Sequence, residues 1–88
     1  MARHRIPSFI DFPFGYTIEV RQVSHKAFIE EGGEGAYALW FSDDRTILLD
    51  KSRPHKKRVA DFVHELIHAV GDFQAHILGD SDKADATD

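Results

Sequence analysis

Residues 64–76 read HELIHAVGDFQAH, which sets His64, Glu65 and His68 within little more than one helical turn. Around them apolar residues recur at helical spacing. Val59, Phe62, Val63, Leu66, Ile67, Val70 and Phe73 fall on one stripe at ~100° per residue. The stripe predicts a helix that is capped by Ser52 or Arg53, takes Pro54 in its first turn and runs to about Phe73. His64 and His68 fall nearly opposite the stripe, beside Asp61, Glu65 and Asp72. The face that packs and the face that carries histidines are therefore separate. Side chains at i and i+4 stack one above the other, so both imidazoles reach a common point outside the helix. The bland alternative is a pair of surface histidines on an amphipathic helix, and a carboxylate set beside a histidine face argues against it.

The rest of the chain bounds what such a face can do. The 88 residues, 42% of them apolar, are enough for one domain near the lower end of what a single apolar core supports. That domain is expected to span 1–88, with an acidic tail from about residue 80. Cysteine is absent, which excludes disulfides and thiolate metal sites and leaves imidazole and carboxylate as the strong ligands. A small domain without disulfides often leans on a metal or a partner. The formal charge of −4 gives no global case for nucleic-acid binding. The opening MARHRIPSFIDF lacks the apolar run of a signal peptide, and no stretch approaches the ~20 apolar residues of a membrane span. The expectation is a cytoplasmic monomer with no membrane contact.

Upstream of the helix the pattern changes period. Residues 6–15 are apolar but punctuated by Pro7, Pro13 and Gly15, and read as an extended lead-in or a short turn of helix. YTIEVRQV, residues 16–23, alternates apolar and polar residues like a half-buried strand. Within Ser24–Gly35, KAFIEE suits a helical turn and GGEG a flexible connection. AYALWF (36–41) and TILLD (46–50) flank Ser42-Asp43-Asp44-Arg45, the makings of a hairpin.

Two imidazoles one turn apart with an adjacent glutamate match the chemistry of a catalytic zinc. The histidines hold the ion, and Glu65 sits beside it as general base for a water that the metal activates. Such an ion keeps three protein ligands. His76 is one candidate for the third, if Gly71 breaks the helix and lets DFQAH fold back. The HExxHxxGxxH spacing is not met, however, because Gln74 stands where its third histidine would fall. Asp72, and Asp61 one turn before His64, are candidates to support a ligand's second nitrogen from behind.

The HELIHAV core, preceded by RTILLDKS and further upstream by YTIEVRQV and IPSFI, resembles the small zinc-peptidase-like proteins of phage genomes. These are relatives of the ImmA/IrrE-type metallopeptidases within the wider zincin group. The likeness runs from about Ile6 to about Asp80, and only HExxH is specific in it. It implies an α+β domain in which a small three-stranded antiparallel sheet packs on a C-terminal HExxH helix, with His64 and His68 as ligands and Glu65 as base. It also brings in Asp80 as a second candidate for the third ligand, since a Leu-rich turn in those proteins leads to an acidic residue that Leu78-Gly79-Asp80 matches. The setting it implies is a host cytoplasm. The strand bordering the cleft, here Ala38, Leu39 and Trp40, would pair with an extended peptide substrate.

Three further features enter the expectations. Trp40 and Phe41 cannot both point into a core, so one of them faces solvent or ligand. Tyr37 is a candidate donor to a developing oxyanion, with ordinary sheet packing as the competing reading. Lys51, Arg53, Lys56, Lys57 and Arg58 crowd the start of the helix, where cations oppose the macrodipole. They form either a solvated first turn or a patch for an acidic or nucleic-acid partner. The expectation is thus a zinc metallopeptidase with one Zn2+ per chain. The rival is a non-catalytic module that binds a protein or nucleic-acid partner.

Overall fold

The computed structural model describes residues 5–79. Phe9–Phe12 forms strand β1. Pro13 stops it, and the 3-10 turn Pro13–Gly15 reverses the chain with Phe14 and Gly15 at positive φ (66° and 75°). The chain returns as β2, Tyr16–Val23, antiparallel to β1 with Phe12 opposite Tyr16. Ser24 then caps a single turn of helix, α1 (His25–Phe28), by accepting the Ala27 N–H on its Oγ at 3.2 Å. A wide π-type turn, Ile29–Gly33, leads to β3 (Ala38–Phe41), which makes the expected hairpin with β4 (Thr46–Asp50). Helix α2 occupies His55–Leu78.

The sheet has four strands in the order β1-β2-β4-β3, and it is mixed. The expectation of three antiparallel strands is corrected in two ways. Residues 9–12 are a strand, because Pro13 falls in the turn, where a missing N–H costs no ladder bond. And β4 lies parallel to β2, with Val20 opposite Ile47. The composition of β4 explains its central place: Ile47, Leu48 and Leu49 are fully or almost fully buried, so the strand needs cover on both faces. Its hairpin partner β3 is left on the outer edge.

Helix α2 covers one face of the sheet. Tyr16, Ile18, Val20, Ala38, Ile47, Leu49 and Ala69 form the buried core, with Phe62, Leu66 and Phe73 packed against it. Phe28 fills the other face, completely buried in a position where sequence reading had only a helical turn.

The apolar stripe of α2 is only half used. Phe62, Leu66 and Phe73 face the sheet as expected, around Ala69, which brings the helix close. Val63, Ile67 and Val70 do not: they are exposed. The helix is rolled toward its polar flank because that flank is tied down. Arg58 Nη1 donates to Gln22 Oε1 of β2 at 2.7 Å, and the Trp40 indole N–H of β3 donates to Asp72 Oδ2. The N-terminal cap is Pro54, whose carbonyl accepts from Arg58 N at 2.9 Å, rather than Ser52 or Arg53. Nor does Gly71 end the helix, which runs unbroken to Leu78. Among the described residues, no helix is long and apolar enough to cross a membrane.

Candidate metal and catalytic site

The i, i+4 spacing on an uninterrupted helix places the His64 and His68 rings 5.2 Å apart between centroids, inclined at 73°. Both side chains are exposed, as the separate histidine face requires. Glu65 was expected on the solvated side. It is instead half-buried, because the roll of α2 carries it toward β3.

Between α2 and β3 lies an open cleft of about 430 Å3. Ala36, Tyr37 and Ala38 line it from the strand side, and Ala60, Asp61, His64 and Glu65 from the helix. Alanines at 36, 38 and 60 keep it open where larger side chains would fill it. Strand β3 pairs only with β4 among the described residues, so the backbone edge bordering the cleft is unpaired. Ala38 points into the core and Trp40 packs against it. Phe41, facing the opposite way, lines a small hollow with Arg21 and Glu31. Trp40 is therefore the inward member of the pair.

The acidic residues flanking the histidines have other partners than those expected. Asp61 takes a forked pair of hydrogen bonds from Arg53, Nε to Oδ2 at 2.6 Å and Nη2 to Oδ1 at 3.3 Å. The same guanidinium lies over the Tyr37 ring, 3.9 Å from its centroid. Tyr37 thus stands at the cleft wall, 65% exposed and braced by Arg53, instead of packing in the sheet. Asp72 accepts from Trp40. Neither carboxylate is hydrogen-bonded to a histidine of the pair.

His76 follows His68 by eight residues on the same continuous helix, which is ~12 Å along the axis. Its ring lies against Tyr16, 5.3 Å between centroids, away from the His64–His68 pair. Burial pushes the Tyr16 hydroxyl above its ordinary pKa; Arg45 over the ring lowers it and Asp72 adds to the rise. The other third-ligand candidate, Asp80, lies outside the described residues. Among the described residues, no three His, Asp or Glu side chains converge as a metal cage. The donor set fits an imidazole-seeking divalent ion in part: two nitrogens one turn apart with a carboxylate beside them, and no third donor among the described residues.

The basic cluster is divided. Arg53 holds Asp61, and Arg58 holds Gln22 and the Arg53 carbonyl (Nη2 to O, 3.1 Å). Lys51, Lys56 and Lys57 are exposed. Sequence reasoning missed the Arg53 brace, since its partners at 37 and 61 have no periodic relation to it. It also missed a second polar cluster. His25 Nδ1 lies 2.7 Å from Asp50 Oδ2, while Asp50 Oδ1 accepts the Ser52 N–H at 2.9 Å and the Ser52 hydroxyl at 2.6 Å. An acidic residue closing the apolar run TILL was the available signal for it. Comparison of the chain with protein families, curated proteins and solved structures finds no match.

Proposed function

We propose that this domain is a zinc-dependent peptidase in which Glu65 is the general base. The observation that carries the reading is that His64 and Glu65 line the same cleft as the unpaired edge of β3. A histidine pair alone is a common surface feature. Together with a half-buried carboxylate and a free strand edge, it supports hydrolysis of an extended peptide over a chance pairing of histidines.

His64 and His68 would hold the ion, and Asp80, which lies outside the described residues, would be the third ligand. Bound there, zinc supplies Lewis acidity toward a carbonyl and makes water acidic enough to attack near neutral pH. The chain's own residues do the rest. Ala38, Leu39 and Trp40 offer backbone groups to an extended substrate, which adds to the sheet as a further strand. Glu65 accepts the proton of the attacking water and returns it to the leaving amine. Tyr37, standing across the cleft, would donate to the oxyanion.

Glu65→Gln tests this reading, because it keeps size and hydrogen bonding while removing the base. Zinc should bind variant and wild type alike at about one per chain, and cleavage of an unfolded substrate should fall at least about a hundredfold. Metal binding should be lost in His64→Ala. Equal turnover by wild type and Glu65→Gln removes Glu65 from the mechanism, and full metal occupancy in a His64→Ala, His68→Ala double variant removes the site. The second reading, a non-catalytic interaction module, is favoured by the missing third donor among the described residues. Absence of turnover across a broad peptide library with zinc bound would establish it over the first.

A further inference from the structure

Three alanines from separate stretches meet in the cleft: Ala36 ahead of β3, Ala38 in β3 and Ala60 in α2. Ala60 stands four residues before His64, on the same side of the helix and about 6 Å back along its axis. Ala36 and Ala38 line the strand side. The next residue on the face of β3 that Ala38 occupies is Trp40, a large side chain packed against the core. The change to small side chains is therefore local, and it falls beside His64. Larger side chains at 36 and 60 would bury more apolar surface between strand and helix, so the core gains nothing from the opening. The charges in the wall are already matched. Asp61 gives both oxygens to the Arg53 guanidinium, the pair is mostly shielded from solvent, and the same guanidinium lies over the Tyr37 ring. Glu65 is the lining carboxylate that has no such partner among the described residues.

We propose that this recess is a side-chain pocket, which takes one apolar side chain of leucine or phenylalanine size from an extended peptide lying along β3. The inference rests on the peptide-binding part of the reading above and not on the chemistry of Glu65. Methyl groups and an aromatic ring make the greater part of the wall, so an apolar side chain gains by leaving water there. A charged side chain would be desolvated among them at a cost. In an extended chain successive side chains point to opposite faces. One residue of the peptide therefore enters the recess while both of its neighbours turn away. The distance from Ala60 to His64 along the helix matches about two residues of strand. The pocket thus selects a residue within about two positions of any bond presented at His64.

Fluorescein-labelled heptapeptides that differ only at the central residue (leucine, phenylalanine, alanine, lysine or glutamate) test the pocket. Fluorescence anisotropy on the full chain carrying Glu65→Gln gives a Kd for each without cleavage. Leucine and phenylalanine should bind at least about tenfold more tightly than alanine, the scale of a few methylenes moved into an open apolar pocket. Lysine and glutamate should bind no more tightly than alanine. Adding Ala60→Leu, at an exposed helical position, fills the recess. It should abolish the preference while leaving the circular dichroism spectrum and the Kd of the alanine peptide unchanged. Ala36→Leu fills the recess from the strand side and gives the same reading if Ala60→Leu does not fold. No binding of any peptide, equal Kd values, tightest binding of lysine or glutamate, or a preference that survives both substitutions would overturn the proposal. The two readings fail separately. Turnover by the wild type without a side-chain preference removes the pocket and leaves the chemistry, whereas a preference without turnover removes the chemistry and leaves the pocket.

Discussion

Gly33 should be intolerant of even one added methyl group, for a reason the structure makes quantitative. A Cβ built there would lie 2.2 Å from Phe28 Cε2, 2.4 Å from Cδ2 and 2.7 Å from Cζ. Ordinary carbon contacts are ~3.5–4.0 Å, so the ring would have to retreat by more than an ångström. It has nowhere to go, because Phe28 is completely buried. Gly33 is not among the glycines at positive φ, so backbone strain does not enter. Elsewhere Gly→Ala at such a backbone position would stabilise by about 0.4–1 kcal/mol. Overpacking a tight core costs about 1–3 kcal/mol, and an immobile ring against a Cβ fixed by the backbone belongs at the upper end of that range. Gly33→Ala should therefore lose about 2–3 kcal/mol. In a domain of this size that lowers the melting temperature by roughly 10–20 °C. Urea unfolding followed by circular dichroism measures the loss, with an unchanged m-value showing that the unfolded state is not the cause. Shrinking the ring in the Gly33→Ala, Phe28→Leu double variant should recover part of the loss, with a coupling of at least about 1 kcal/mol. A Gly33→Ala variant as stable as the wild type would refute the packing argument.

Other outcomes follow from the polar contacts. Burial alone would raise the Asp50 carboxyl, but the hydrogen bonds from Ser52 and His25 outweigh it and hold the pKa below the ordinary value. Asp50 thus contributes stability above the unfolded carboxylate pKa of ~3.9, and the contribution is lost as pH falls through the lower folded value. Asp50→Asn should destabilise at pH 7 and flatten the fall in stability below about pH 4; an unchanged acid limb in a pH series of urea melts would refute this. Asp72→Ala orphans the indole N–H of Trp40, the chain's single tryptophan, at a cost of about 1–3 kcal/mol, and should shift its fluorescence to the red. If His64 and His68 hold a metal, chelation should lower the melting temperature by several degrees, equivalent to about 1–3 kcal/mol. A melting curve unchanged after verified metal removal would show a fold that does not depend on it.

The long helix and β2 were legible because each has a clean period, 3.6 in α2 and 2 in YTIEVRQV, and the hairpin because Ser42-Asp43-Asp44-Arg45 makes a turn between two apolar runs. The parallel pairing of β2 with β4 was not, because register and direction between distant strands depend on burial of the whole sheet and not on either strand's own pattern. The continuous apolar run TILL was the one local sign that β4 lies inside. Phe9–Phe12 was hidden by its own punctuation, since Pro13 breaks a strand and makes a turn with the same residue. The pentapeptide placed His64, Glu65 and His68 near one another by spacing alone. What spacing could not supply is the roll of α2. An apolar stripe wider than the sheet leaves a choice of which side to bury, and the hydrogen bonds from Arg58 to Gln22 and from Trp40 to Asp72 make that choice.

Those ties change the meaning of the two aspartates. From sequence, Asp61 and Asp72 were candidates to steady the histidines, one turn before His64 and one turn after His68. In the structure each reaches across to the edge-strand region: Asp61 through Arg53 to Tyr37, and Asp72 directly to Trp40. The histidine pair lies between these two crossings. Because Tyr37 and Trp40 are held to the same helix that carries His64, Glu65 and His68, the position of the strand edge relative to those side chains is set twice. A polar tie is directional, as apolar contact is not, and a forked guanidinium–carboxylate pair fixes angle as well as distance. The alanines at 36, 38 and 60 can then leave the cleft open without the strand sliding in to close it. The two carboxylates thus tie the helix that carries the histidines to the opposite wall of the cleft.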